Sequence, residues 1–383
     1  MQRRSLLRGA VAGTGTVVLG FTMTRASFAY PAQPGTGPYG ALGPADVNGL
    51  HLPSGFTSRI VARSAREVAG TGHTWHGAPD GGACFADGSG WIYVSNAELG
   101  SGAGGVSALR FAADGTVTDA YGILSGTSTN CAGGATPWDT WLSCEETTRG
   151  AVYETDPYGE ADAVRRDAMG RFKHEAAACD PDLRVVYLTE DEPDGAFYRF
   201  VPETWGDLSS GTLQVLTGSG ATSAWRTVPD PSAASRQTRR QVSGTRVFNG
   251  GEGCYYRGGL CYFTTKGDNR VWALDTRTTT LAVVYDDSLV TSPPLTGVDN
   301  ITGTGSGDLF VAEDGGTMEI CVITPDDVVA PFLRISGHGG SEITGPAFSP
   351  AGDRLYFSSQ RGARGSNDDG VTYEVTGPFR TAA

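Results

Sequence analysis

The sequence predicts an all-β fold, a six-bladed β-propeller. Three observations support this prediction: one short motif recurs six times, glycine is unusually frequent, and the segments between turns have the composition of strands. Glycine makes up 56 of the 383 residues, without the three-residue period of collagen. Runs such as 184–189 and 258–265 are rich in β-branched and aromatic residues. Asp/Gly turns separate several of these runs, so we expect many short strands and few helices.

The recurring motif is an aromatic residue followed by an apolar residue and a small one. It begins at Tyr93, Trp141, Tyr187, Tyr262, Phe310 and Tyr356. Successive positions are 48, 46, 75, 48 and 46 residues apart. The long interval contains a segment rich in Ser, Gly, Pro and Thr, which we interpret as an insertion at about 203–243. A period near 46 fits four short strands per repeat, and closing the ring removes the exposed sheet edges.

The first 29 residues have the composition of a cleaved export signal. Arg3 and Arg4 precede a short Gly/Ala-rich apolar run, and Ser27 and Ala29 form a small-x-small cleavage site. Paired arginines are typical of the twin-arginine route, which carries folded proteins. We therefore expect contact with the twin-arginine export machinery and cleavage before Tyr30. The mature protein would be a single propeller domain over 30–383, periplasmic or secreted.

The formal net charge of −13 argues against nucleic-acid binding and against anionic membrane surfaces. We expect a mature protein that binds neither and acts as a monomer on a small molecule. The chain has seven cysteines but no CxxC pair, so a zinc ribbon or a thioredoxin-like motif is excluded. Because seven is odd, at least one thiol stays outside any intramolecular disulfide.

A second repeated feature is a polar residue that lies 10 to 14 residues before each motif, beside small residues. These six are Asp80, Cys131, Glu175, Glu252, Asp299 and Glu342. Equivalent positions of a propeller are related by rotation, so side chains at the start of the innermost strands converge on one channel. Like charges in such a space disfavour full ionisation unless cations neutralise them. Carboxylates suit hard cations, and a thiolate among them suits iron or a softer metal. The pattern therefore predicts an axial metal site.

A second acidic set follows the motifs and could add ligands from further along the strands. Its members are Glu98, Glu145, Glu146, Glu190, Asp191, Glu192, Asp268, Glu313 and Asp314. Other catalytic motifs are missing from the sequence: His174 and Glu175 are not part of an HExxH motif, and there is no GxSxG. The sequence therefore does not predict a zincin or a serine hydrolase of the nucleophile-elbow type.

Several segments resemble the PhoX-type alkaline phosphatases and their relatives. They are residues 130–146, 170–181 and 248–253, the pair Asp299–Asn300 and the twin-arginine start. The resemblance implies a six-bladed propeller with a mixed iron and calcium cluster on its axis that hydrolyses phosphate esters. It makes Cys131, Glu175, Glu252 and Asp299 the expected iron ligands. Calcium would then bind neighbouring carboxylates, for which Glu145, Glu146 and Glu190 are candidates.

The chain departs from the family at one place. The phosphatases carry an Arg-Pro pair before the glutamate that matches Glu252, and that arginine binds phosphate, whereas this chain has Gly250 and Gly251. Glycine cannot replace a bidentate guanidinium. Other basic residues are candidates for the phosphate contact: Lys173 and Arg246, together with Lys266, Arg270 and Arg361.

Two functional hypotheses follow. The first is an exported, metal-dependent phosphatase that acts on a small phosphorylated substrate with iron and calcium as cofactors. The second is a calcium-stabilised propeller that is either non-catalytic or lactonase-like. Gly250 favours the second hypothesis, whereas the thiol of Cys131 disfavours it, because calcium takes oxygen ligands.

Overall fold

The computed structural model describes residues 31–220 and 222–381, which form β-strands linked by short turns. Among these residues, four three-residue 3-10 helices lie in the connections between strands: Asp167–Met169, Thr238–Arg240, Lys266–Asp268 and Asp287–Leu289. In the described part of the chain, no helix is long and apolar enough to span a membrane. The predicted export signal, residues 1–29, lies outside the described residues.

The strands are numbered here in chain order. The first four are β1 (Gln33–Pro34), β2 (Leu42–Ala45), β3 (Leu50–Pro53) and β4 (Thr57–Arg63). The next eight are β5 (Pro79–Asp87), β6 (Gly90–Ala97), β7 (Gly104–Phe111), β8 (Val117–Thr127), β9 (Asn130–Ala135), β10 (Trp141–Glu145), β11 (Val152–Thr155) and β12 (Val164–Arg165). They form two four-stranded sheets, β5 to β8 and β9 to β12, which correspond to the first two repeats.

The third and fourth repeats contain nine strands. These are β13 (His174–Asp180), β14 (Val185–Glu190), β15 (Phe197–Thr204), β16 (Asp207–Ser219), β17 (Thr222–Thr227), β18 (Gly251–Arg257), β19 (Leu260–Thr265), β20 (Arg270–Asp275) and β21 (Thr280–Asp286). The predicted insertion at 203–243 supplies most of the long β16–β17 hairpin and then a loop that leads back to β18.

The remaining strands form the last two sheets. They are β22 (Val298–Gly303), β23 (Leu309–Glu313), β24 (Glu319–Ile323), β25 (Val328–Ile335), β26 (Ile343–Phe348), β27 (Arg354–Ser359) and β28 (Val371–Thr376). Strands β22 to β25 are extended by β1, β2 and β3 into a seven-stranded sheet. Strands β26, β27 and β28 are completed by β4, which pairs antiparallel with β28.

The fold is an all-β propeller, but its described strands form five sheets, so the prediction of six separate blades is wrong on this count. The cause is the insertion. Strand β17 pairs with β21 at Thr222 and Thr280, and this pairing joins the strands of the third and fourth repeats into one nine-stranded sheet. The repeat period predicted the strand succession but not this additional pairing.

The first strands of the repeats surround the centre of the molecule. Strands β5, β9, β13, β18, β22 and β26 contact one another in a closed cycle. The aromatic motifs lie on the second strands, where Tyr93, Tyr187 and Tyr356 are fully buried between neighbouring sheets. The predicted placement of the polar residues on the innermost strands is therefore correct for the first five repeats.

A β-bulge interrupts the pairing of every first strand with its second strand. At each bulge two residues of the first strand oppose one residue of the second strand. The paired bulge residues are Asp80–Gly81, Cys131–Ala132, Glu175–Ala176, Glu252–Gly253, Asp299–Asn300 and Gly345–Pro346. Bulges re-aim side chains and are frequent beside active sites. Here they place four carboxylates and one thiol at equivalent positions of the first five repeats.

The small residues in these bulges have a packing role. A Cβ on Gly81 would lie 2.5 Å from Cα of Ala132, and one on Gly253 would lie 2.6 Å from the backbone nitrogen of Ile301. Each of these neighbours belongs to the next repeat. The small residues therefore let adjacent bulges pack against each other, which brings the preceding side chains close together.

Candidate metal centre

The bulges bring the four predicted iron ligands together with Glu146, a predicted calcium ligand, and with Glu98. One oxygen each of Glu175, Glu252 and Asp299 lie within 4.8 Å of one another. A second group with the same spacing consists of Glu98, Cys131 and Glu146. The two triads meet where the thiol of Cys131 lies 3.2 Å from Oε1 of Glu175. Thiol and carboxylate donors from five repeats thus surround one small region.

Burial makes this concentration of acidic groups costly without cations. Glu175 is fully buried, and Glu252 and Asp299 are 2% and 5% exposed. Burial, followed by the charges of Glu252 and Glu146, raises the pKa of Glu175 well above its ordinary value. The pKa of the Cys131 thiol is also raised, first by burial and then by Asp80 and Glu175. These groups favour their neutral forms unless positive charge is supplied.

Asp80 occupies the equivalent bulge position in the first repeat, where its carboxylate is hydrogen-bonded to the side-chain amide of Gln360. Its carboxylate accepts hydrogen bonds from the side-chain nitrogen of Gln360 and from the backbone nitrogen of Gly81. The same nitrogen of Gln360 lies 2.7 Å from Oε2 of Glu98. Burial, followed by the charges of Glu98 and Glu342, raises the pKa of Asp80. Asp80 therefore lies beside the Glu98 triad and shares its excess of negative charge.

A second ring of side chains follows the last ladder pair of each hairpin. In the first five repeats the single ladder pair before the bulge ends at Ala97, Glu145, Glu190, Thr265 or Glu313. In the sixth repeat two pairs precede the bulge, and the outer one ends at Ser359. The next residue in each repeat is Glu98, Glu146, Asp191, Lys266, Asp314 or Gln360. We call these six residues the second ring. It contains four carboxylates, one amine and one amide.

Three cationic side chains contact the acidic groups. Nζ of Lys266 lies 2.7 Å from Oε1 of Glu252 and 3.1 Å from Oδ2 of Asp191. Nζ of Lys173 lies 2.8 Å from both Oε1 of Glu146 and Oδ2 of Asp191. Burial alone lowers the pKa of each lysine, but the adjacent carboxylates outweigh it and raise the pKa. Both amines are therefore protonated at neutral pH.

The third cation, Arg361, lies on the opposite side of the ring. Its NH1 is 2.7 Å from Oε1 of Glu342. Glu342 precedes β26 and lies three residues before the sixth bulge, whose first residue is Gly345. The alignment of Glu342 with the other five inner residues is therefore corrected: it lies in the outer part of the site with Glu98 and Arg361.

The structure gives Glu145 and Glu190 loop contacts. The oxygens of Glu145 accept hydrogen bonds from the backbone nitrogens of Ser128 and Ala151 at 3.1 and 3.2 Å. Glu190 accepts hydrogen bonds from Ala196 and Tyr198 and forms a 2.9 Å ion pair with Arg239. Both lie outside the two triads, where Glu98 and Glu146 are found instead.

Arg246 contacts the insertion hairpin. Its NH1 donates a hydrogen bond to the backbone oxygen of Gly220, and its guanidinium lies over the rings of Phe248 and Trp272. Arg270 pairs with Asp268 and Asp286. Of the five basic candidates, Lys173, Lys266 and Arg361 are thus the ones that contact the acidic groups of the site.

Side chains of neighbouring repeats hold the bulges in place. The amide of Asn96, opposite the first bulge, donates to the backbone oxygens of Cys131 and Ala132 at 2.9 and 2.8 Å. The hydroxyls of Thr189 and Thr264 donate to the backbone oxygens of Glu252 and Asp299. These contacts orient the ligand-bearing residues from outside the site, as supporting groups commonly do around metal ligands.

The donor set fits a metal cluster. Oε2 of Glu175 is buried and has no hydrogen-bond partner among the described residues. A buried carboxylate oxygen that lacks a donor is costly, and a cation would satisfy it. Carboxylate oxygens suit hard cations, and a thiol at one end of the same cluster suits a softer one.

The sequence of the central sheets matches a known family. The family model described as alkaline phosphatase PhoX matches residues 92–156 and 148–273. Residues 92–273, just under half of the chain, belong to the PhoX family. These matched segments carry Cys131, Glu175 and Glu252 of the two triads. No curated protein sequence matches the chain.

Solved structures show the same fold at low sequence identity. PhoX of Pseudomonas fluorescens in complex with vanadate, a transition state analogue, superposes with a TM-score of 0.71 and 17% identity, over 88% of this chain and 97% of that chain. A gluconolactonase of Xanthomonas campestris has a TM-score of 0.51 and 13% identity, over 89% and 99%. A protein of Bacteroides thetaiotaomicron has a TM-score of 0.50 and 8% identity, over 87% and 83%.

The departure from the PhoX family at Gly250 has a structural counterpart. Gly250 has φ +70°, a conformation that side chains rarely adopt, and a Cβ there would lie 3.1 Å from Cγ of Lys266 and 3.2 Å from Oδ1 of Asp191. Lys266 therefore fills the space into which a side chain at position 250 would project.

Proposed function

We propose that this protein is a metal-dependent hydrolase of phosphate esters that binds iron and calcium between its inner strands. One observation carries the proposal: a half-buried thiol and six carboxylate side chains, Asp80 among them, cluster in the fold and family of an alkaline phosphatase. Membership of the family alone does not decide the activity, because one fold can support several chemistries.

The inner residues would divide the cations by donor type. Cys131, Glu175, Glu252 and Asp299 would hold iron, since the thiol of Cys131 contacts Glu175 where the two triads meet. Glu98, Glu146 and Asp80 have only oxygen donors and would hold calcium beside it. Bound metal ions would neutralise phosphate oxygens, lower the pKa of a water molecule and stabilise the leaving oxygen.

Two lysine side chains of the site would attract and orient the substrate. The side chains of Lys173 and Lys266 are 31% and 37% exposed, so their amines can contact solvent as well as the acidic ring. They would attract an anionic substrate toward a region that is otherwise strongly acidic. The substrate would be a small phosphate ester, since the formal net charge of −13 argues against nucleic acid.

We further propose that the protein acts outside the cytoplasm as a monomer, after export by the twin-arginine machinery. The family assignment supports export, and the Arg3–Arg4 start supports the route. Folding before export would allow the metal site to be filled before the protein crosses the membrane.

A second candidate function is a calcium-stabilised propeller, non-catalytic or lactonase-like. Gly250 favours it, because the arginine expected to bind phosphate is missing. The superposition with a gluconolactonase shows that such a ring can carry another reaction. Under this hypothesis the protein would bind calcium but not iron.

Metal analysis and activity assays distinguish the two functions. The full chain would be exported from a bacterial host, purified without chelator, and assayed with p-nitrophenyl phosphate and with gluconolactone. We expect iron and calcium in the protein, phosphatase activity that chelation abolishes, and inhibition by vanadate. The variant Glu175→Gln should lose metal and activity. Glu319→Gln, which alters a buried carboxylate paired with Arg334 elsewhere, is the control. Calcium without iron, with lactone hydrolysis alone, would favour the second function.

A further inference from the structure

The chain contains only two lysines, and both lie in this site. Lys173 and Lys266 are the only lysines among its 29 lysine and arginine residues. Both amines contact the same oxygen, Oδ2 of Asp191. The other members of this group of 29 are all arginine, so lysine occurs only beside the acidic groups of the site.

Lysine and arginine differ in ways that matter at this point. An ammonium group is a compact point charge with three donors, whereas a guanidinium is a flat, extended fork. Lys266 sits in the second ring at a position where four of the other five repeats supply a carboxylate. Its Nζ lies between Glu252 and Asp191 at hydrogen-bonding distance from both. The amine thus lies between two carboxylates, in a position where a small metal cation could bind.

Lys173 repeats this arrangement one step along the ring. It approaches from the start of the third repeat, and its Nζ bridges Glu146 and Asp191 at 2.8 Å from each. The three carboxylates of Glu146, Asp191 and Glu252 are therefore partly neutralised by two amines that belong to the chain. The thiol of Cys131 and the carboxylates of Glu175 and Asp299 receive no ion pair from a basic side chain among the described residues.

We propose that the ammonium groups of Lys173 and Lys266 act as permanent counter-ions. They occupy two positions among the carboxylates of Glu146, Asp191 and Glu252 where metal ions could bind, and so limit the number of metal ions in the site. The inference rests on the proposed metal centre. It leaves Cys131, Glu175 and Asp299 free to bind metal ions with all their donor atoms, whereas Glu146 and Glu252 would each share their carboxylate between a lysine and a metal ion. Lys266 also keeps one oxygen of Glu252 in an ion pair, leaving the other oxygen available as a ligand.

The number of bound ions tests the proposal directly. Four proteins would be dialysed against calcium and analysed by elemental mass spectrometry: wild type, Lys266→Met, Lys266→Arg and the surface control Arg277→Met. Removing one partner of a buried ion pair leaves an uncompensated charge, so Lys266→Met should bind about one more calcium ion per chain than wild type. Lys266→Arg and Arg277→Met should match wild type. An unchanged or reduced calcium content in Lys266→Met would overturn the proposal.

Amine labelling gives a second readout on the unaltered protein. Because there are two lysines, acylation followed by peptide mass spectrometry reports on Lys173 and Lys266 individually. If both amines stay in their ion pairs when calcium binds, saturation with calcium leaves the labelling rate of both lysines unchanged. A rise of about twofold or more with calcium would mean that the ion displaces the lysine, and the proposal would be wrong. Wild type that binds no metal at all would instead refute the proposed metal centre.

Discussion

The thiol of Cys131 lies 3.2 Å from Oε1 of Glu175, across the boundary between the second and third repeats. This contact joins two triads of potential ligands that would otherwise be separate. It also places the one sulfur donor of the site beside its most deeply buried carboxylate. The most direct tests of the site therefore begin with these two residues and their supports.

Replacing the thiol should separate the two kinds of metal. In Cys131→Ser the oxygen donors persist, so we expect calcium to be retained and iron to be lost. Phosphatase activity should fall by at least ~100-fold, since even supporting residues of metal sites contribute 10- to 100-fold. Elemental analysis and p-nitrophenyl phosphate hydrolysis measure both effects. Cys179→Ser, which removes a thiol on β13 beyond the bulge, should retain iron; equal iron in both variants would contradict the assignment.

The bulge that carries Cys131 depends on Asn96. The variant Asn96→Ala leaves two backbone oxygens, those of Cys131 and Ala132, without their side-chain donor. We expect metal affinity to fall by about 10- to 100-fold, with calcium and iron both affected. Competition with a chelator of known affinity measures this loss. Asn48→Ala breaks a surface contact to Ser58 and is the control; similar affinities for the two variants would exclude a positioning role for Asn96.

The metal-free protein should lose stability as the pH rises from weakly acidic to neutral. Burial, followed by the hydrogen bond to Asp191, raises the pKa of Glu146 to about 7, and burial, followed by Asp314, raises that of Glu342 to about 7. An unfolded glutamate titrates near 4.5. Between these pH values the folded state keeps protons that the unfolded state has released, so protonation favours folding there.

Melting temperatures measured in chelator at about pH 5 and about pH 7.5 test this linkage. The value should be lower at the higher pH, and the difference should shrink in Glu146→Gln and when calcium is added. A melting temperature that rises with pH in chelator would contradict the predicted sign.

The buried ion pair between Arg239 and Glu190 should be important for stability. Glu190 is fully buried, and Arg239 also contacts Glu192 and Asp194. Arg239→Ala leaves the Glu190 charge uncompensated, which costs about 3–5 kcal/mol. Arg240→Ala breaks an exposed pair with Asp194 and should cost less than about 1 kcal/mol. Urea denaturation of both variants provides the comparison, and equal midpoints would show that burial of the pair has no consequence.

The sequence predicted the inner residues of the first five repeats because residue type and repeat phase agree there. It did not separate Glu145 from Glu146, or Glu190 from Asp191. Successive residues of a strand point to opposite faces, so a one-residue error in register exchanges a loop contact for a place in the ring. In the sixth repeat, the larger offset of Glu342 from its motif signalled that it was not equivalent.

The sheet count was not predictable in the same way. The pairing of Thr222 with Thr280 joins segments from different repeats and leaves no mark on the period. Lys266 and Gln360 carry no carboxylate, so the acidic pattern did not predict them as members of the second ring. A count of lysines would have directed attention to Lys266, since the sequence contains just one other.

Strand β4 comes from the start of the described chain, yet it completes the sheet of β26, β27 and β28 at the far end of the sequence. The pairing of β4 with β28 therefore closes the ring where β5 and β26 are neighbours. A nascent chain, or one truncated before residue 371, would possess most of the acidic residues without the closed geometry that brings them together.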